Sequence, residues 1–287
     1  MPTFATPGPI ATTVEVAGAR VRVTASDRTD TAVLVEPVDG ANRSHVRVAA
    51  RTKVEFADGH LSVRTTTSGD RDGSVVIAID LPAGSSLAAY LAYSAVRADG
   101  RFGDCELHQA SGQVQFDRVG ALRANVSSGE VEVGHIAGRA DIEGGAFALR
   151  IGAVTGAVEL SNSGGRTWIG EASGELDLSS AGCDFDIDRA DGDVTAETAS
   201  GAIRIGRMTN GVAKLTNGSG NIEVGITEGT AVSTDVVSER GAVHNFVVSQ
   251  GEPGAAEDRV SVHARTRHGD ITIQRAGAQE ASVVSTS

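Results

Sequence analysis

Apolar and polar residues alternate with a period of two through most of the chain, which is the pattern of half-buried strands. From Gly103 to about Asp235 a second period overlies the first: a glycine opens a short strand, and the unit returns every nine residues. Gly129-Glu-Val-Glu-Val-Gly134 is the template, repeated at Gly112-Gln-Val-Gln-Phe116, Gly165-Arg-Thr-Trp-Ile-Gly170, Gly201-Ala-Ile-Arg-Ile-Gly206 and Gly220-Asn-Ile-Glu-Val-Gly225. Between these lie units such as Gly138-Arg-Ala-Asp-Ile142, Gly156-Ala-Val-Glu-Leu160 and Gly174-Glu-Leu-Asp-Leu178. Lead positions run in nines from 120 to 201, step by ten to 211, and resume in nines, with Phe147 and Cys183 in place of glycine.

A unit of one strand and one turn cannot bury its own apolar face, so successive units must stack. Two units make a coil of about eighteen residues, with parallel strands about 4.8 Å apart. The inward columns then read Val114, Val131, Leu149, Thr167, Phe185, Ile203, Ile222 on one sheet and Leu122, Ala140, Val158, Leu176, Val194, Ala213 on the other. One corner carries an apolar residue (Val119, Ile136, Val154, Met208), and the other is rich in Ser and Asn. A three-sided helix of hexapeptides would repeat every six residues instead. The expectation is an all-β chain built as a parallel β-solenoid (a β-helix or β-roll), with β-rich caps at both ends.

The organisation follows. Residues 13–86 read as a β-rich, mainly antiparallel N-terminal cap with a hairpin at Asp58-Gly59, and Val46-Arg-Val48 as one of its strands. Residues 87–236 are the solenoid, 237–275 a C-terminal β cap, and 1–12 and 276–287 loose tails. Helix-forming stretches are essentially absent.

Composition narrows the chemistry. Twenty-five Lys and Arg against 37 Asp and Glu give a formal charge of −12, which argues against a nucleic-acid binder, since that needs a clustered basic face. The cysteines, Cys105 and Cys183, fall about four coils apart, some 19 Å at the strand spacing, and so should be free thiols. No apolar run of about eighteen residues is present to span a bilayer. The first residues lack a basic stretch followed by an apolar one, so the expected compartment is the cytoplasm.

Leu81-Pro-Ala-Gly-Ser85, Val224-Gly-Ile-Thr-Glu-Gly-Thr-Ala231, Gly241-Ala-Val-His-Asn245 and Ala264-Arg-Thr-Arg-His-Gly-Asp-Ile-Thr-Ile273 carry a resemblance. With them the chain resembles the actinobacterial putative-adhesin family of β-strand-repeat proteins of unknown function, over nearly its whole length. That resemblance implies a β-solenoid and supplies no catalytic residues.

No zinc-protease, paired-cysteine, nucleophile-elbow or phosphate-loop signature is present. Asp184-Phe-Asp-Ile-Asp188 has metal-like spacing, but Arg189 and Thr195 stand where a calcium loop wants glycine and glutamate, and strand alternation explains the spacing more simply. No metal, cofactor or catalytic residue is therefore expected. His263, Arg265, Arg267 and His268 read as a solvated basic strand face. Trp168, on an outward column between Arg150 and Asp186, is a sugar-stacking platform, an interface anchor or a cover for its neighbours.

On the opposite sheet Asp141, Glu159 and Asp177 should stack as like charges beside Glu175 and Asp193, which costs stability unless compensated. Water and splayed rotamers would do so, as would a basic partner or a loosely held divalent cation. The leading expectation is a non-enzymatic scaffold or protein-interaction module, with a basic protein surface as partner. Alternatives are an exported carbohydrate-binding or cell-surface adhesin and a self-polymerising cytoskeletal-type scaffold.

Overall fold

The computed structural model describes residues 2–65, 73–247 and 259–277. It is an all-β parallel solenoid with one short helix, and two strand-bearing sides enclose one continuous aliphatic core.

The chain starts as β1 (Thr3–Ala5), β2 (Ala11–Ala17), β3 (Ala19–Ser26), β4 (Asp30–Pro37), α1 (Arg43–Arg51), β5 (Thr52–Ala57), β6 (His60–Thr65) and β7 (Val75–Pro82). The expectation of a mainly antiparallel region is corrected here, because β2 pairs in parallel with β6 and β3 in parallel with β7. Their inward residues, including Val14, Val16, Val21 and Val23 against Leu61, Val63, Ile77 and Ile79, are buried and continue the aliphatic ladders. Among the described residues the antiparallel pairings are those of β1 with β4, β4 with β7 and β5 with β6. The hairpin at Asp58-Gly59 joins β5 to β6, with φ of 51° and 73°, as its two-residue turn requires. Two further readings change. Residues 3–5 form an edge strand on β4, and Val46-Arg-Val48 lies in a helix. The Asn42 side chain accepts from Ser44 N–H and so caps that helix, while Val48 reaches the core from over β4, β6 and β7. Phe4 and Phe56, from the two outermost strands, stack at 4.9 Å and close this end of the interior.

The middle comprises β8 (Ser86–Ala92), β9 (Ser94–Arg101), β10 (Asp104–Gln109), β11 (Gly112–Val119), β12 (Ala121–Ile136), β13 (Ala140–Val154) and β14 (Val158–Ala172). It continues through β15 (Leu176–Ser180), β16 (Cys183–Ala190), β17 (Val194–Thr198), β18 (Ile203–Met208), β19 (Gly211–Ser219) and β20 (Ile222–Ile226). β8 and β9 stack on β2 and β3, so the coil of β2 and β3 is clasped between β6/β7 and β8/β9. From there the predicted columns appear in register. Leu122 pairs with Ala140, Ala140 with Val158 and Val158 with Leu176, while Val131, Leu149, Thr167 and Phe185 do the same on the other side. We call the side with Leu122 the front sheet and the side with Val131 the back sheet. Full burial of one Val, Leu or Ile side chain stabilises by about 1.5–3 kcal/mol, and these columns hold little else. At the polar corner Gly165 has φ of 116°, and a Cβ there would meet the Phe147 carbonyl oxygen at 2.0 Å, so the coil spacing itself demands glycine.

Past β20 the chain forms β21 (Ala231–Arg240), β22 (Val243–Asn245), β23 (Arg259–His268) and β24 (Ile271–Arg275). Their order in space is not their order in sequence: β23 and β24 lie directly on β19 and β20, and β21 and β22 lie outside them. At this end two inward positions are polar, and Asn245 Nδ2 donates to Thr234 Oγ1 across the interior at 3.1 Å.

Candidate interaction surface

The front sheet places the expected carboxylates on one outer face. Asp141 is in register with Glu159 and Glu159 with Asp177, at adjacent strand spacing. Glu175 and Asp193 lie just beyond the strand ends, where their carbonyls accept from Val158 and Leu176 N–H. The like-charge stack has one compensation that the sequence reading lacked. Arg139 reaches both Asp141 through Nε and Glu159 through Nη2, and these carboxylates hold its pKa up. Asp193 is also engaged: its Oδ1 accepts from Val212 N–H at 2.8 Å and tethers its coil to the next. Asp177 and Glu175 have no ion pair among the described residues.

Trp168 does not join them. It projects from the back sheet, half-buried, with the Arg150 guanidinium 4.5 Å from its ring centroid. Arg150 occupies the coil on one side and Asp186 the coil on the other, so a stacking ligand would have to displace Arg150. The ring lies close to Gly170, where a Cβ would meet it at 3.0 Å.

The metal-like Asp184, Asp186 and Asp188 are each held by protein groups. Asp184 accepts from Ala202 N–H at 2.9 Å, while Asp186 and Asp188 share the Arg204 guanidinium at 2.6 and 3.5 Å. No group of three or more His, Cys, Asp or Glu suited to a metal occurs among the described residues. Cys105 and Cys183 are free and buried. Burial pushes the Cys105 thiol up to about 12 and raises Cys183 as well, against a hydrogen bond with Thr167, so neither is a ready thiolate.

In the C-terminal basic patch Arg265 pairs with Asp235 at 2.7 Å and His263 contacts the same carboxylate at 3.7 Å. The Arg265 contact holds the Asp235 carboxyl below its ordinary range.

The sequence reading missed a groove of about 440 Å³ along the polar corner of the front sheet. Tyr90 and His108 form its wall, stacked at 4.9 Å with rings 3° from parallel, and Glu106 Oε1 lies 2.7 Å from His108 Nε2. The signal that would have found it is the eighteen-residue separation of Tyr90 and His108, one coil, hidden where the glycine leads are irregular.

A family profile described as Toastrack DUF4097 matches residues 12–274. No curated protein matches the sequence. Among solved structures the chain is similar to a putative adhesin from Parabacteroides distasonis, at 13% identity, over 96% of this chain and 95% of that one, with a TM-score of 0.37. It is similar also to one from Bacteroides fragilis, at 10% identity, over 95% of each chain, with a TM-score of 0.30. A third, from Parabacteroides merdae, shares 13% identity over 96% of this chain and 94% of that one, with a TM-score of 0.34.

Proposed function

The chain belongs to the Toastrack DUF4097 family, and from that premise we propose that it is a non-enzymatic scaffold whose front face receives a protein partner with a basic surface. The observation that carries this reading is the Asp141, Glu159, Asp177 stack, in which Arg139 bridges two carboxylates and leaves Asp177 beside Glu175 without a cation among the described residues. Parallel strands hold these groups at a fixed repeat, so little ordering entropy remains to be lost on binding. An unneutralised negative stripe also speeds encounter with a cationic surface and disfavours a nucleic-acid backbone. The actinobacterial affiliation and an intracellular location belong to the same proposal.

The test is affinity capture from native lysate with the wild type and with Glu175→Gln/Asp177→Asn. A basic partner that is retained by the wild type, lost from the double variant and released by salt supports the reading. Equal capture by both proteins overturns the site. Cell fractionation decides the location, and recovery of the protein only at the cell surface overturns an intracellular role.

A further inference from the structure

The two ends of the solenoid differ in what their backbone edges meet. At the N-terminal end the outer edges of β6 and β7 are taken by antiparallel β5 and β4, and α1 covers the interior between them. At the C-terminal end β21 pairs only with β23, and β22 only with β24, among the described residues. Among the described residues, no strand pairs with the outer edge of either, on two sheets at once. The same coil holds three of the six large hydrophobic residues most exposed in the described chain: Val237, Val243 and Phe246, at 46%, 43% and 66%. Val243 occupies an inward column, in register with buried Ile271, and is exposed because no further coil of described residues lies above it.

We propose that this open end pairs with the same end of a second copy, giving a closed two-fold dimer. A single added strand would satisfy one edge. The identical end of another copy presents two edges with the same separation and corner geometry, so β21 meets β21 and β22 meets β22 as antiparallel pairs. Charge favours this approach over a lateral one. The coils around Asp141 to Asp193 are acidic, whereas residues 231–277 are nearly balanced in sequence, with Arg240, Arg259, Arg265, Arg267 and Arg275 against Asp235, Glu239, Glu252, Glu257, Asp258 and Asp270. Repulsion between two copies is least end to end. Alternation within β21 also limits the register, since opposed residues of an antiparallel pair share a face. Centring the pair on Val236 sets Val236 against its copy and keeps Asp235 from facing Glu239. Because the N-terminal end is covered, the association stops at two.

Sedimentation equilibrium on the full chain, from about 1 to 100 µM, tests this. We expect a monomer–dimer equilibrium that Val243→Lys weakens at least about tenfold, roughly 1.4 kcal/mol. Val46→Lys, at the exposed apolar residue of the covered end, should leave it unchanged. Monomer at every concentration, growth beyond the dimer, or dissociation by Val46→Lys instead of Val243→Lys overturns the proposal. Hydrogen exchange guards against a variant that merely unfolds the last coil: wild-type amides in 231–245 should gain protection as concentration rises. Full protection of those amides in the dilute monomer would mean that the chain covers its own edge, and would also overturn it.

Discussion

The outer faces of the two sheets are built on the same repeat and strand spacing, yet their charges are ordered in opposite ways. On the back sheet the column reads Glu132, Arg150, Trp168, Asp186, Arg204, Glu223, so each cation meets an acid or an aromatic ring one coil away. On the front sheet Asp141, Glu159 and Asp177 follow one another, and a cation from outside the column, Arg139, offsets only the first two. Since geometry is shared, the contrast isolates sequence order: one face satisfies itself, and the other keeps a fixed unneutralised stripe. A solenoid has no need of such a stripe for register, because the inward ladders already set it. That is why we assign recognition to the front face.

The most damaging way to erase the contrast is Arg204→Glu, which removes the contacts to Asp186 and Asp188 and adds a like charge beside Glu223. Each pair is partly exposed and individually worth about 0.2–1 kcal/mol, so the combined loss should be about 1–2 kcal/mol, read as a lower denaturation midpoint. A raised midpoint would contradict the register of that column. Next comes the Arg150–Trp168 contact. A double-mutant cycle with Arg150→Ala and Trp168→Ala should give a coupling of about 0.5–1 kcal/mol, and a coupling near zero would leave Trp168 free for another role.

On the front face Arg139→Gln should lower the denaturation midpoint slightly at low salt, because Asp141 and Glu159 then face each other without a shared cation. The smallest and most diagnostic change is Asp177→Asn, expected to stabilise by about 0.3 kcal/mol at low salt and by nothing measurable near 1 M salt. Glu159→Gln should gain less than Asp177→Asn, since it also gives up its contact with Arg139. If Asp177→Asn destabilises the protein, and calcium raises the melting temperature of the wild type but not of the variant, the carboxylates are cation ligands and the two faces differ for another reason.

The sequence by itself determined the ladders. In a solenoid each residue meets the one a fixed number of positions away, so a period in the sequence is a contact in space, and Leu122, Ala140, Val158 and Leu176 could be aligned without coordinates. It also determined the front-face carboxylate stack and the separation of the two buried thiols. Only the tertiary structure decided which coil lies beside which at the ends. Alternation says that β6, β7, β23 and β24 each have an inward face, but any coil of the same width could receive them; the pairings that place them are long-range, and no period records them. The helix Arg43–Arg51 was hidden for a related reason: its Val46-Arg-Val48 alternation suits a strand, and the Asn42 cap together with the opening that Val48 fills makes it a helix. Likewise Arg139 stands outside the repeating column, and its reach to two carboxylates depends on where its coil turns, which is a property of the corner and not of the strand pattern.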